Sequence, residues 1–228
     1  MKNQTLIGFC AIALALIIAG ISLKSGMDNF TFRDRTISAR GVDEREVIAN
    51  IGSANPTISL SDNDVVSLKN RLLQQAAELR RFAIAQGIAD SCITTIVPEI
   101  SQNSRSYDGK APEYRYSGAS GISIYTADVE RLHKFAGSLY QLVDNDIITS
   151  CYPYYEYTAL NDIKPDMISR ATHNARIAAD QFAKDSGSKI GLIKSANQGY
   201  FSVDNIDGRP NYYKNVRVVT SVEFYLKD

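Results

Sequence analysis

The chain has 228 residues, 44% of them apolar, with 25 lysines and arginines balancing 25 aspartates and glutamates. That apolar share can fill a core, which excludes disorder as the default, and the zero net charge excludes a global field that would draw nucleic acid or an anionic membrane surface. Cys10, Cys92 and Cys151 are too few and too scattered for a zinc site or a disulfide-rich scaffold.

From Leu6 to Leu23 the sequence reads LIGFCAIALALIIAGISL, an uncharged run between Lys2 and Lys24. At about 1.5 Å per helical residue it reaches across a bilayer core, and it lacks the polar stripe of a buried globular helix. It is therefore a transmembrane anchor or a signal peptide. Cleavage wants small residues in an A-x-A-like pattern, and Gly20-Ile21-Ser22 is a poor match, so an uncleaved anchor is expected, with release into the periplasm as the alternative. Cys10 follows Phe9 rather than the small residue that precedes a lipidated cysteine, and is read as a lipid-facing apolar group. Lys2 and the amino group keep residues 1–5 in the cytoplasm. The expected topology is single-pass in the inner membrane, with the C-terminal domain in the periplasm.

Residues 24–34, KSGMDNFTFRD, are polar and aperiodic and serve as a tether to a domain over 35–228. Arg35 to Gly41 alternates as a strand, and a second β-like stretch runs from Val47 to Leu60; the two are expected to pair as a hairpin. Val47, Ala49 and Ile51 share one parity and Ile58 and Leu60 the other, which requires a break between Gly52 and Pro56. A long helix follows from Asp64 to Gln86, capped by Ser61 or Asp62 and stopped by Gly87. Ile93 to Ile100 and Tyr114 to Tyr125 read as paired strands around a loop whose Asp108-Gly109 and Pro112 are turn residues.

A shorter helix is predicted over Ala127–Leu142, with Thr126 as cap and Val129, Leu132, Ala136 and Leu139 on one face. Asp146 to Tyr157 is one strand, rich in β-branched and aromatic residues. The third helix spans Pro165–Ser186, with the proline in its first turn, Ala171, Ala175, Ala178, Ala179 and Ala183 along it, and Gly187 as the stop. Lys189 to Ser195, extending toward Val203, and Val216 to Leu226 are the closing strands, separated by a polar, mobile loop, DNIDGRPNYYKN. The order ββ-α-ββ-α-β-α-ββ argues an α+β fold with a largely antiparallel sheet and helices on one face. A division into two lobes would fall near residues 105–113.

In order and spacing, the opening Arg35-Thr36-Ile37-Ser38-Ala39-Arg40-Gly41, the alanine-leucine helix ending at Gly87-Ile88, the Ile93-Thr94-Thr95-Ile96-Val97-Pro98 strand, Tyr114-Arg115-Tyr116, and the late helix Ala171–Gly187 followed by Lys189-Ile190-Gly191-Leu192-Ile193 resemble the SIMPL (DUF541) family of periplasmic and envelope proteins. The chain departs from the family at Arg45-Glu46-Val47, where a Pro-Asp pair is common, and in inserting Asn55-Pro56. The resemblance implies a bacterial envelope protein of poorly defined biochemical role, in a family where some members assemble into large rings and others are associated with oxidative or envelope stress. It supplies no catalytic residue, cofactor or metal ligand to carry over.

His133 and His173 are the only histidines, and neither has a Cys, Asp or second His at metal spacing. Nucleophile elbows, zinc-protease helices and nucleotide-binding glycine loops are missing, so no catalytic residue, cofactor or metal site is assigned. Cys92 and Cys151 would share an oxidising compartment; they form a disulfide if their strands are neighbours and otherwise stay two buried thiols. Tyr152, Tyr154, Tyr155 and Tyr157 place aromatic rings on both faces of a strand, as an interface or as packing against a helix. The resulting expectation is a non-enzymatic, membrane-tethered periplasmic homo-oligomer linked to envelope integrity or stress tolerance. A module binding an unknown small molecule or peptide between the lobes is the alternative.

Overall fold

The structure is a computed structural model that describes residues 17, 19, 20, 22, 35–104 and 111–227. In chain order its elements are β1 (Thr36–Ile48), β2 (Ile51–Ala54), β3 (Thr57–Asp62), α1 (Val65–Ala85), β4 (Ile93–Gln102), β5 (Tyr116–Thr126), α2 (Val129–Ser138), β6 (Thr149–Ser150), β7 (Tyr154–Glu156), α3 (Leu160–Asp185), β8 (Lys189–Asn205) and β9 (Tyr213–Lys227). The fold is α+β, as expected. The Asp108-Gly109 turn, the tether and most of the expected membrane segment lie outside the described residues. Among the described residues, no helix is long and apolar enough to cross a membrane.

Two units divide the chain, one of residues 35–44, 164–201 and 217–227 and the other of 45–163 and 202–216, so the boundary is not near 105–113. The first unit carries most of a three-stranded sheet ordered β1-β9-β8. Even-numbered β9 residues from Val218 to Phe224 are buried, and Val222 and Phe224 join Ala39, Ala175 and Ala179 in one core cluster. Helix α3 can approach this sheet because Ala171, Ala175, Ala179 and Ala183 recur every fourth residue and are all fully buried. Gly187, at φ 73°, ends the helix in the left-handed region that favours glycine. Pro165 lies within α3, which begins five residues earlier than predicted.

The second unit is built on a six-stranded sheet in which β5 is flanked by β4 on one side and by β2 and β3, end to end, on the other. The expected break is at Asn55-Pro56, between β2 and β3. Outermost are β7 beside β2 and β6 beside β3, so the single strand predicted over 146–157 is two short ones separated at Cys151–Pro153. Proline has no N–H to give the ladder. The predicted β1 hairpin is also corrected: β1 pairs with β9 in the other sheet, whereas β2 and β3 pair with β5.

Helix α1 buries Leu68, Leu72, Ala76, Leu79 and Ala83, one stripe at three- and four-residue spacing. Asp64 is its N-cap, accepting from the Ser67 N–H at 2.8 Å; Asp62 instead accepts from the N–H groups of Asn63 and Asp64. In α2, Asp128 is the cap rather than Thr126, and the buried face is Val129, Leu132 and Phe135, with Ala136 only half-buried. A 3-10 turn over Leu139–Asn145 replaces the last predicted turns and buries Leu139 and Leu142. These side chains meet Ile58, Ile122, Ile124 and Tyr155 in the main core.

Candidate functional site

Three features of the described surface and core bear on function. The first is an aromatic cluster in the second unit. Strand β7 carries Tyr155 opposite Gly52, and the tyrosine is 3% exposed. Its ring lies 5.8 Å from that of Tyr212 and 6.4 Å from that of His133; His133 and Tyr212 are 5.4 Å apart, and Tyr213 follows at 4.7 Å from Tyr212. The His133–Tyr212 and Tyr155–Tyr212 contacts are edge-on, an arrangement that favours ordered packing. The Tyr212 carbonyl also accepts from the Ala49 N–H at 2.8 Å, which ties the last loop to the β1–β2 link.

Among the described residues the buried Tyr155 hydroxyl has no hydrogen-bond partner, and burial, with Cys151 and Tyr212 nearby, raises its pKa. Burial also pushes the Cys151 thiol up to about 11, so at neutral pH it is protonated and a poor nucleophile. His133 is exposed on α2 and supports the tyrosines from outside; His173 is exposed on α3. Among the described residues, no three His, Cys, Asp or Glu side chains are grouped to hold a metal.

The expected tyrosine patch divides by strand parity. Tyr152 is 96% exposed and Tyr154 is exposed, Tyr157 is half-buried, and Tyr155 belongs to the core. Tyr155 is therefore removed from the candidate interface. The condition for a Cys92–Cys151 disulfide also fails. Both thiols are free; Cys92 precedes β4 and Cys151 follows β6, at opposite edges of the sheet. Three strand spacings, about 14 Å, separate those edges, against the roughly 6 Å between α-carbons that a disulfide spans.

A second feature is a cleft of about 510 Å³ in the same unit, bounded by β7, the first residue of α3, the end of β8 and the start of β9. Its walls include Lys214, Asn205, Glu156 and Asp204. The sequence pattern places Lys214 in the polar loop before the last strand. In the structure β9 starts at Tyr213, and Lys214 shares the inward parity of Val216 and Val218, a signal present in the sequence two residues before the predicted strand start.

The third feature is the free edge of β8. Among the described residues this 17-residue strand pairs only with β9, and in the first unit Leu192, Ile193 and Tyr200 are exposed on it, Tyr200 at 99%.

Among solved structures, the chain is similar to a putative glycine cleavage system transcriptional repressor at 11% identity, covering 76% of this chain and 80% of that one, with a TM-score of 0.24. It is also similar to an uncharacterised conserved protein and to a hydrolase, both from Listeria innocua, each at 10% identity, 81% and 92% coverage and a TM-score of 0.22. Likenesses this low carry no argument about fold or function. No curated protein matches the chain. The model of the SIMPL family, described as a protein of unknown function (DUF541), matches residues 37–222, and the chain belongs to that family.

Proposed function

We propose that this SIMPL-family chain is a non-enzymatic module of the bacterial envelope that associates with copies of itself and supports envelope integrity or tolerance of oxidative stress. In this reading residues 6–23 hold it in the inner membrane with its domain in the periplasm. The observation that carries self-association is the β8 edge. A long strand with an open row of backbone donors and acceptors is a template for another chain, and proteins that stay monomeric guard such rows with bulges, prolines or charges. Strand β4 is guarded in that way, by a bulge between Ile96 and Glu99 that contains Pro98. On β8 the mid-strand Lys194 is drawn back onto the sheet, 3.3 Å from Glu223, while Leu192 and Ile193 put apolar groups on opposite faces.

Non-enzymatic action is supported by the protonated state of the Cys151 thiol and by the absence of recognisable catalytic motifs in the sequence. The test is native mass spectrometry of the full chain in detergent, alongside a C-terminal reporter fusion. A discrete oligomer and a reporter active only outside the cytoplasm are expected. A monomer across the accessible concentration range removes self-association, and a C-terminus shielded from protease in spheroplasts removes the envelope placement.

A further inference from the structure

We propose that the cleft between β7, α3, β8 and β9 in the second unit binds a small zwitterion of the free amino acid class, its carboxylate toward Lys214 and its ammonium toward Glu156 and Asp204. This inference is independent of self-association. Volume is suitable: about 510 Å³ falls within the range of small-molecule sites.

The charges argue the ligand class. Lys214 is only 9% exposed, and its ammonium donates to Asn205 Oδ1 at 2.6 Å. An ammonium has three donors, and among the described residues no carboxylate stands within ion-pair distance of this one. Buried charges are ordinarily paired. Burial accordingly holds the Lys214 pKa below the usual lysine range, which a carboxylate placed beside it would restore. Glu156 and Asp204 line the same cleft at exposed positions and make no ion pair among the described residues. The Lys214 ammonium is instead bonded to Asn205. One cation at depth and two anions at the mouth, kept apart, match a molecule that carries both signs a few bonds apart. Phosphate or another dianion would meet repulsion from Glu156 and Asp204 on entry. Leu160, the first residue of α3, also lines the cleft. Tyr154 and Tyr157 supply aromatic walls for the ligand's ammonium and side chain.

The experiment is calorimetric titration of the detergent-purified full chain with each of the free L-amino acids, with butyrate and butylammonium as single-charge controls. Saturable binding of at least one amino acid is expected, with both controls weaker by about tenfold or more. Lys214→Met should weaken that binding by a similar factor. Because Lys214→Met can disturb the core, the exposed pair Glu156→Gln with Asp204→Asn is the second variant; it should weaken the amino acid while butyrate, freed from the repulsion of the two carboxylates, binds no less tightly than to the wild type. The proposal is overturned if no amino acid binds, if butyrate binds as tightly as the amino acids, or if a folded double variant binds like the wild type.

Discussion

Gly41 in β1 faces the backbone of Ala171 in α3 so closely that a methyl group on the glycine would overlap the alanine carbonyl oxygen and the Ala175 nitrogen. Both contacts are backbone, so neither can rotate aside. The spacing of helix and sheet in the first unit is thus set by the lack of a side chain at 41 together with the alanines opposite.

Gly41→Ala is expected to destabilise the protein by about 3 kcal/mol, the upper part of the range for overpacking a core. Thermal unfolding followed by circular dichroism measures this. An unchanged Tm would show that α3 can move outward and that Gly41 does not set the spacing.

Leu72 and Leu73 are neighbours in α1, one fully buried and one 43% exposed. Leu72→Ala should cost about 3 kcal/mol, since its methyls pack against β5 beside Gly118 and leave a cavity. Leu73→Ala should stay within about 0.5 kcal/mol. Urea midpoints for the two variants decide it; equal losses would mean that α1 packs with a different face inward.

These residues also show what was legible in the sequence. The α1 stripe is a local pattern, and its period names the buried face without knowledge of what it meets. Strand parity called for a break between Gly52 and Pro56, and β2 and β3 do part at Asn55-Pro56, yet the inward parity itself changes earlier, after Ala49, and runs on through Gly52, Ala54 and Ile58; on β9, parity read two residues further back would have placed Lys214 on the inside. Parity names a face, however, and not a partner. That β1 pairs with β9, far along the chain, and not with the adjacent β2 depends on tertiary packing that no short window contains. Pro165 misled in a different way. Its preference for a first turn concealed the earlier turn from Leu160, which brings α3 to the cleft. The Tyr155 cluster joins α2, β7 and the loop before β9, and adjacent tyrosines in sequence gave no hint that His133 would stand against both Tyr155 and Tyr212.

Tyr155→Phe removes a buried hydroxyl that has no hydrogen-bond partner among the described residues, and keeps the ring against His133 and Tyr212. Stability should be unchanged or rise by about 1 kcal/mol, because the fold no longer carries a desolvated, unpaired group. Tyr155→Ala should instead cost about 4 kcal/mol through loss of the ring. A large loss in the phenylalanine variant would reveal a partner for the hydroxyl in solution.

Leu192→Lys combined with Ile193→Lys places charge on both faces of the β8 edge, where both native residues are exposed. The monomer should lose little stability, while the oligomer expected in native mass spectra should dissociate. Intact assemblies in this variant would move the contact away from β8, with Tyr152 and Tyr154 as the next surface to test.

The Cys151 thiol ties stability to alkaline pH. Burial raises it to about 11 in the folded protein, whereas in the unfolded chain it titrates near its usual 9.0. Between those values the folded state retains a proton that the unfolded state has released, so the unfolded state is favoured as pH rises. Stability from this group is therefore fully present below about pH 9 and is lost progressively up to about pH 11, and Tyr155, also raised, steepens the loss above the usual tyrosine range. Melting temperatures from pH 7 to 11 should be level at first and then fall. Cys151→Ala should flatten the first part of the fall, and iodoacetamide at pH 8 should label Cys151 slowly in the native protein and rapidly in urea. Fast native labelling, or an alkaline profile that Cys151→Ala leaves untouched, would show that the thiol is solvated and titrates as it does in the open chain.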